Sequence, residues 1–220
     1  MADESLRITG GGPGLQALTA RAAGMDSQSV ARVRQLDEEV LDVFVTTPFE
    51  VVAARRAKGT VTRDGAVVRA KTLADALADH GSARNASPDN PVELPLGPSQ
   101  DVAWPGALPP TEGFQLLDNL PVTVVRELAD KGQKLTREFS GPMGPPASLL
   151  NQTVVTVKAG ETSVEIPMRM IFACTNLGLI PGFAAPMDVP RHLRVSRLGR
   201  WVRVDAPYGS VYHSPRLSLF

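Results

Sequence analysis

The sequence predicts an α+β protein in which two related units are joined by a proline-rich strap and followed by a C-terminal β-hairpin. Each unit has the predicted order strand, helix, hairpin, helix. Three observations support this fold class: two segments that echo one another, a second pair of matching strand-to-helix patterns, and seven prolines in the segment between the two units. The predicted boundaries are residues 1–81 and 113–220 for the units, 82–112 for the linker, 133–156 for an insertion and 191–205 for the hairpin.

The echo lies between TPFEVVAARRAKG (residues 47–59) and LPVTVVRELADKG (residues 120–132). Both segments place proline near the start, two adjacent valines after it, and Lys-Gly at the end. Proline suits the first turn of a helix because its φ is fixed and it has no N–H to leave unpaired. Glycine after lysine suits the C-terminal end, where a left-handed residue closes the last turn. Each segment is therefore predicted to be one short, complete helix.

A second match relates VVRAKTLADALADHG (residues 67–81) to VEIPMRMIFACTNLG (residues 164–178). Each runs from a strand end into a helix that stops at glycine, and the apolar residues keep the i, i+3, i+4 spacing of one helical face. A strand–turn–strand signal precedes each helix, with Asp64-Gly65 and Ala159-Gly160 at the turns. We interpret the two matches as an internal duplication, which places Cys174 in the core rather than in a catalytic role.

The segments outside the repeat are expected to be irregular. The two matches differ in offset, so the second unit contains about 24 extra residues, among them FSGPMGPPAS (residues 139–148). We expect a surface connection there in preference to a binding loop around Met143. GGGPG (residues 10–14) matches neither nucleotide-binding glycine motif, and a flexible N-terminal segment is favoured over a phosphate cradle.

Composition excludes several classes of function. The 23 basic and 23 acidic residues cancel, so no global charge attracts nucleic acid or an anionic membrane. Cys174 is the single cysteine and the three histidines have no metal-binding spacing, so neither a disulfide nor a metal site is expected. No motif indicates a cofactor. The N-terminus is acidic and polar, unlike a signal peptide, and we expect a cytoplasmic protein without a membrane span.

The most informative segment is RHLRVSRLGRWVRVD (residues 191–205), predicted as a hairpin that turns at Leu198-Gly199. Its alternation gives an apolar face and a polar face, and the polar face holds His192, Arg194, Trp201, Arg203 and Asp205. In this register Arg194 lies opposite Arg203, which destabilises a sheet unless an anion lies between them. We favour a carboxylate from elsewhere in this protein, for example from its acidic N-terminal half, over a ligand phosphate, an RNA backbone or an acidic partner with Trp201 as a stacking surface.

Aromatic and histidine residues concentrate after residue 190, including Tyr208, Tyr212 and His213. A triad of Ser210 or Ser214 with a histidine and Asp205 has no supporting motif. No catalytic residue is therefore assigned. The candidate ligand-binding residues are Arg194, Arg203, Trp201, His192 and Tyr208.

The stretches DSQSVARVRQ, VFVTTPFEVVAARRAKG and VTRDGAVVRAKTL, within residues 26–81, resemble an uncharacterised family of proteins from high-GC actinobacteria. The resemblance implies no activity, cofactor or catalytic residue.

The favoured hypothesis is a non-catalytic protein with a protein–protein interaction surface, whose partner is another protein or a second copy of the chain. The first alternative is a binder of nucleic acid or another phosphate-bearing ligand through the Arg/Trp hairpin, with nucleic acid the less favoured partner. The second alternative is an enzyme with a C-terminal Tyr/His site.

Overall fold

The computed structural model describes residues 4–79, 85–139 and 146–215. The chain divides into two compact units. Unit 1 comprises Met1–Pro48 and Val52–Ala107, and unit 2 comprises Phe49–Val51 and Leu108–Phe220. No helix formed by the described residues is long and apolar enough to span a bilayer.

Unit 1 is an antiparallel sheet covered by two helices that pack against each other. The strands follow the order β5-β2-β3-β4, and β1 pairs with both β4 and β6. The elements are β1 (Ser5–Gly10), α1 (Gly12–Met25), β2 (Val30–Gln35), β3 (Val40–Thr46), β4 (Val52–Val61), β5 (Val67–Arg69), α2 (Ala70–Asp79) and β6 (Val92–Pro95). Its core is formed by fully buried side chains such as Ile8, Leu15, Phe44 and Leu73.

Unit 2 has a four-stranded antiparallel sheet, β7-β10-β11-β12, a two-stranded ribbon, β8-β9, and a helix pair, α3 and α5. The elements are β7 (Gln115–Pro121), α3 (Val122–Phe139), α4 (Ala147–Asn151), β8 (Thr153–Ala159), β9 (Thr162–Pro167), α5 (Met168–Asn176), β10 (His192–Leu198), β11 (Trp201–Ala206) and β12 (Gly209–His213). Leu193, Val195 and Val204 form the buried side of the sheet, and α5 contributes Met170 and Ile171 to the core. Two units of mixed strands and helices are thus present, as the sequence predicted.

The predicted helix over residues 47–59 is wrong, because this segment forms β4. Seven of its residues pair with β3, from Val52 opposite Thr46 to Lys58 opposite Val40. The partner segment at 120–132 begins in β7 and enters α3 directly after Pro121, so its proline does precede a helix. Gly132 does not end that helix. It lies inside α3, where an added Cβ would be 2.8 Å from the Phe172 ring. The two similar segments therefore adopt different structures, a strand at 47–59 and mainly a helix at 120–132.

The second match has a clearer structural counterpart. β5 runs directly into α2 and β9 directly into α5, as the pattern at 67–81 and 164–178 predicts. β8 and β9 form a hairpin that turns at Gly160, whereas the hairpin predicted around Asp64-Gly65 is wrong, because β5 pairs with β2 instead of β4. Cys174 is buried in α5, and burial raises the pKa of its thiol to about 12, as expected of a core residue.

Three segments predicted to be irregular contain helices or strands among their described residues. The glycine-rich N-terminal segment is not flexible: it contains β1 and the start of α1, joined at Gly11, whose φ is 83°. Within the predicted linker, β6 pairs with β1, so most of residues 82–112 belongs to unit 1. The predicted insertion 133–156 holds the end of α3, then α4 and the start of β8. Met143 lies outside the described residues.

Gly59 explains why glycine follows lysine in β4. At this point β4 pairs with β1, Gly59 lies opposite Ile8, and its φ is 150°. A Cβ added here would lie 1.9 Å from the carbonyl oxygen of Arg7, a backbone atom that cannot rotate away. The glycine is therefore required by the close approach of two strands and not by a helix end.

We predict that Gly59→Ala lowers the free energy of unfolding by about 3 kcal/mol, because β1 must shift and the backbone conformation is strained for alanine. Gly24→Ala is the matched control, since a Cβ at this position of α1 meets no atom within 4 Å. The control is expected to change stability by less than about 1 kcal/mol, in the stabilising direction. Urea denaturation of both variants measures the difference, and similar values for the two would contradict the steric explanation.

Candidate interaction surface

The hairpin β10–β11 has the predicted faces but a different register. Arg194 lies opposite Asp205, Ser196 opposite Arg203, and Leu198 opposite Trp201. The turn therefore starts at Gly199, with a φ of 55°, because glycine accepts the left-handed conformation that leucine resists. The predicted pairing of Arg194 with Arg203 is wrong by two residues. A shift of two leaves every side chain on its predicted face.

The polar face of the hairpin supplies its own countercharge. Arg203 Nε lies 3.0 Å from Asp205 Oδ2, and the guanidinium carbon lies 4.5 Å from the centre of the Phe114 ring. Phe114 in turn meets Tyr212 edge to face, with the ring centres 6.1 Å apart. Ser210 Oγ donates a hydrogen bond of 2.6 Å to Asp205 Oδ1. The carboxylate beside Arg203 is thus Asp205 of the same strand, instead of one from the acidic N-terminal half.

The remaining arginines of the hairpin differ from Arg203. Arg194, Arg197 and Arg200 are exposed, and within the described part of the chain none has a carboxylate at ion-pair distance. Arg197 Nε donates to the carbonyl of Gly199 at 2.9 Å, which is a neutral acceptor. β10 and the hairpin turn therefore carry exposed positive charge that no carboxylate among the described residues pairs with.

The five candidate site residues do not converge on one point. His192 begins β10 and Trp201 begins β11, at opposite ends of the hairpin, roughly 20 Å apart along the strand direction. Tyr208 lies in the turn between β11 and β12, at the His192 end, and its backbone N–H donates to the carbonyl of Leu179. Arg194 and Arg203 share the polar face between these ends.

The Tyr/His site of the enzyme hypothesis is divided between two faces of the sheet. Ser210 and Asp205 lie on the polar face, whereas His213 alternates to the opposite face of β12, beside Val202. A Ser–His–Asp arrangement of these residues therefore has the wrong geometry. Among the described residues, no group of three His, Cys, Asp or Glu side chains could hold a metal ion.

A buried cation that the sequence did not single out lies near His213. Arg169 of α5 is only 5% exposed, and its Nη1 donates to the carbonyl of Phe49 at 2.8 Å and to Glu50 Oε2 at 2.9 Å. Its Nη2 donates to Asn151 Oδ1. The sequence signal was an arginine inside an apolar helix, but nothing local identified its partners.

Comparison with known families assigns the two halves of the chain to two domains of unknown function. Residues 1–106 match DUF8010 and residues 109–218 match DUF8185. The chain belongs to the DUF8185 family. The predicted resemblance to an uncharacterised family is confirmed. No functionally curated protein matches the sequence.

Solved structures with a similar fold are DNA polymerase sliding clamps. The clamp of Bacillus subtilis matches with a TM-score of 0.55 and 10% identity, over 100% of this chain and 66% of that one. The clamp of Bartonella birtlesii gives 0.55 and 12%, over 98% and 66%, and the DNA polymerase III subunit beta of Pseudomonas aeruginosa gives 0.54 and 14%, over 98% and 66%. The chain thus spans 66% of the length of these relatives. At such identities the likeness establishes the fold alone.

The DUF8185 domain holds His213 in an environment that disfavours its protonation. Burial and then the positive charge of Arg169 lower the pKa of His213 to about 4, and the carboxylate of Glu50 only partly opposes this shift. In the unfolded chain the imidazole of His213 has the ordinary histidine pKa of about 6.5. The unfolded state therefore binds more protons between these two values.

We predict that His213 makes the protein less stable as the pH falls from about 6.5 to about 4, by about 1–3 kcal/mol, because folding must then expel a proton. His213→Gln should remove this part of the pH dependence. His192→Gln is the control, because His192 is exposed on the other face of the sheet and should leave the dependence unchanged. Denaturant unfolding at pH 7 and pH 4.5 tests this, and identical profiles for His213→Gln and the native protein would contradict it.

Proposed function

We propose that the protein is a non-catalytic scaffold that binds other proteins or further copies of itself. The observation that carries the proposal is the sliding-clamp fold, which extends over both units. One of the similar structures is that of a subunit, the beta subunit of DNA polymerase III from Pseudomonas aeruginosa. A subunit presents surfaces to other proteins. We propose this general role for the chain, and not an association with DNA polymerase.

The described side chains support a binding role. Ser210 and Asp205 lie on one face of the sheet and His213 on the other, so these three side chains do not form a Ser–His–Asp site. The exposed positive charge of the hairpin instead offers a surface for an acidic partner. We further propose that the two units descend from one duplicated unit, supported by the shared passage from a strand directly into the second helix at β5–α2 and β9–α5.

Self-association and partner binding test the scaffold proposal directly. We expect sedimentation velocity, over about two orders of magnitude of protein concentration, to show reversible association or a stable complex with a co-purifying protein. Either should weaken with salt if the hairpin arginines take part. A strictly monomeric protein that retains no partner would contradict the proposal.

Binding of nucleic acid through the hairpin is a second candidate function, favoured by one observation. Arg194, Arg197 and Arg200 have no carboxylate partner in the described structure, and Trp201 begins the strand that follows. The helices offer less for a polyanion, because they mix both signs of charge. On α2, Lys71 pairs with Asp75 at 2.8 Å, and α3 interleaves basic and acidic residues.

We predict that the triple variant Arg194→Gln, Arg197→Gln, Arg200→Gln weakens binding to single-stranded DNA at low salt and reduces the slope of log K against log salt by about 2, which is about 0.7 for each lost phosphate contact. The control removes the same charge from α3, by Lys131→Gln, Lys134→Gln and Arg137→Gln. Fluorescence anisotropy measures both variants. Equal losses for the two, or no binding by the native protein, would reject this function.

A further inference from the structure

The connection between α5 and β10 exposes two large apolar side chains. Phe183 is 89% exposed and Met187 is 96% exposed, four residues apart in one loop. Isolated apolar residues on a surface are ordinary, but two within one short segment form a potential contact site. We define the α5–β10 loop as residues 179–190.

Two arginines from outside the loop fix its backbone. Arg191 donates from Nη1 to the carbonyl of Gly182 at 3.0 Å and from Nη2 to the carbonyl of Ala185 at 2.8 Å. Arg126 of α3 donates to the carbonyl of Pro181, and its guanidinium carbon lies 4.1 Å from the centre of the Phe183 ring. The loop is thus held in place before any partner binds, which lowers the entropic cost of association.

Turns within the loop add to this order. The backbone N–H of Ala185 donates to the carbonyl of Gly182, and that of Val189 donates to the carbonyl of Pro186, both at 3.2 Å. Prolines at 181, 186 and 190 restrict φ along the segment. The exposed apolar side chains therefore project from a braced loop.

The bracing leaves positive charge at the loop. Arg126 and Arg191 bind carbonyl oxygens and an aromatic ring, none of which neutralises a guanidinium. Arg194 follows on the adjoining strand and has no carboxylate at ion-pair distance among the residues that the structure describes. The loop itself contributes a single acidic residue, Asp188. An apolar pair bordered by several cations complements a surface of apolar residues bordered by Asp and Glu.

From this geometry and charge we propose that the α5–β10 loop is a docking site for a partner protein segment in which apolar side chains are flanked by acidic ones. This inference rests on the proposed scaffold function and gives it a surface and a partner chemistry. A protein fits better than an anionic bilayer, because Asp188 follows Met187 directly and Phe183 is held against Arg126.

Selection from a displayed library of random peptides tests the proposal with the full chain as bait. We expect the native protein to enrich peptides that combine apolar residues with Asp or Glu. A synthetic peptide of the enriched sequence should bind at least about tenfold more weakly to Phe183→Ser, Met187→Ser, because truncating the central apolar contacts removes most of the affinity. Val102→Ser is the matched control, a fully exposed valine in unit 1 whose replacement should leave the affinity unchanged.

The bracing arginine gives a second variant. Arg191→Gln keeps both apolar side chains but removes charge and part of the brace, and should also weaken the peptide, with a smaller response to added salt. Thermal melting confirms that each variant is folded. All the replaced side chains are exposed, so we expect melting temperatures close to that of the native protein.

The remaining outcomes overturn the loop proposal without deciding the scaffold function. Enriched peptides that lack acidic residues, or that bind Phe183→Ser, Met187→Ser normally, overturn the loop proposal and leave the scaffold function intact. Self-association that only this variant abolishes identifies a second copy as the occupant and overturns the acidic partner. Binding to phosphatidylserine vesicles that the variant abolishes overturns a protein partner. Failure of the native protein to enrich any peptide overturns the inference, whereas the scaffold function is decided separately by sedimentation.

Discussion

The buried guanidinium of Arg169 is the constraint on which much of unit 2 depends. A charged group in the interior must be hydrogen-bonded, because losing water without compensation costs several kcal/mol. The side chain meets this requirement with the carbonyl of Phe49, the carboxylate of Glu50 and the side-chain oxygen of Asn151. It thereby fixes the segment Phe49–Val51 and the end of α4 against α5. Glu50 accepts a φ of 56° to complete the arrangement, an unusual conformation for a residue other than glycine.

The two faces of the C-terminal sheet offer different electrostatic environments, and Arg169 contributes to the difference. On the side of α5, Arg169 and burial keep His213 neutral near physiological pH. On the other side, Arg203 and Asp205 form a half-exposed ion pair next to Phe114 and Tyr212. Ser210 and His213, three residues apart in the sequence, therefore lie in different environments. Their clustering after residue 190 reflects strand alternation around a packed layer and does not indicate a shared site.

Sequence patterns correctly predicted features that depend on neighbouring residues, and they failed where the structure depends on contacts with a distant part of the chain. The faces of β10 and β11 follow from alternation, which survives a register error of two residues, and α5 follows from its apolar spacing. The helix predicted over residues 47–59 failed because proline and glycine punctuate strands as well as helices. Only the carbonyl of Arg7, fifty-two residues before Gly59, shows why glycine is needed there. The hydrogen bonds of Arg169 could not be predicted either, since its partner Phe49 lies 120 residues away. Pairings at such separations are absent from any local pattern. The sequence therefore placed Arg194 and Arg203 on one face but could not predict that Phe114 lies against Arg203.

Arginine has two uses in unit 2, and the difference bears on function. Arg169 and Arg203 are matched by carboxylates, so their charge is neutralised within the protein. Other arginines donate instead to backbone carbonyls, namely Arg191, Arg126 and Arg197. These hydrogen bonds stabilise loops and turns but do not neutralise the positive charge. A lysine could not replace Arg191 equally, because the guanidinium fork donates to the carbonyls of Gly182 and Ala185 at once. The unit thus gains order at the α5–β10 loop and at the hairpin turn while keeping a field that attracts acidic groups. In a chain with equal numbers of acidic and basic residues, this selective neutralisation is what concentrates positive charge on particular surfaces.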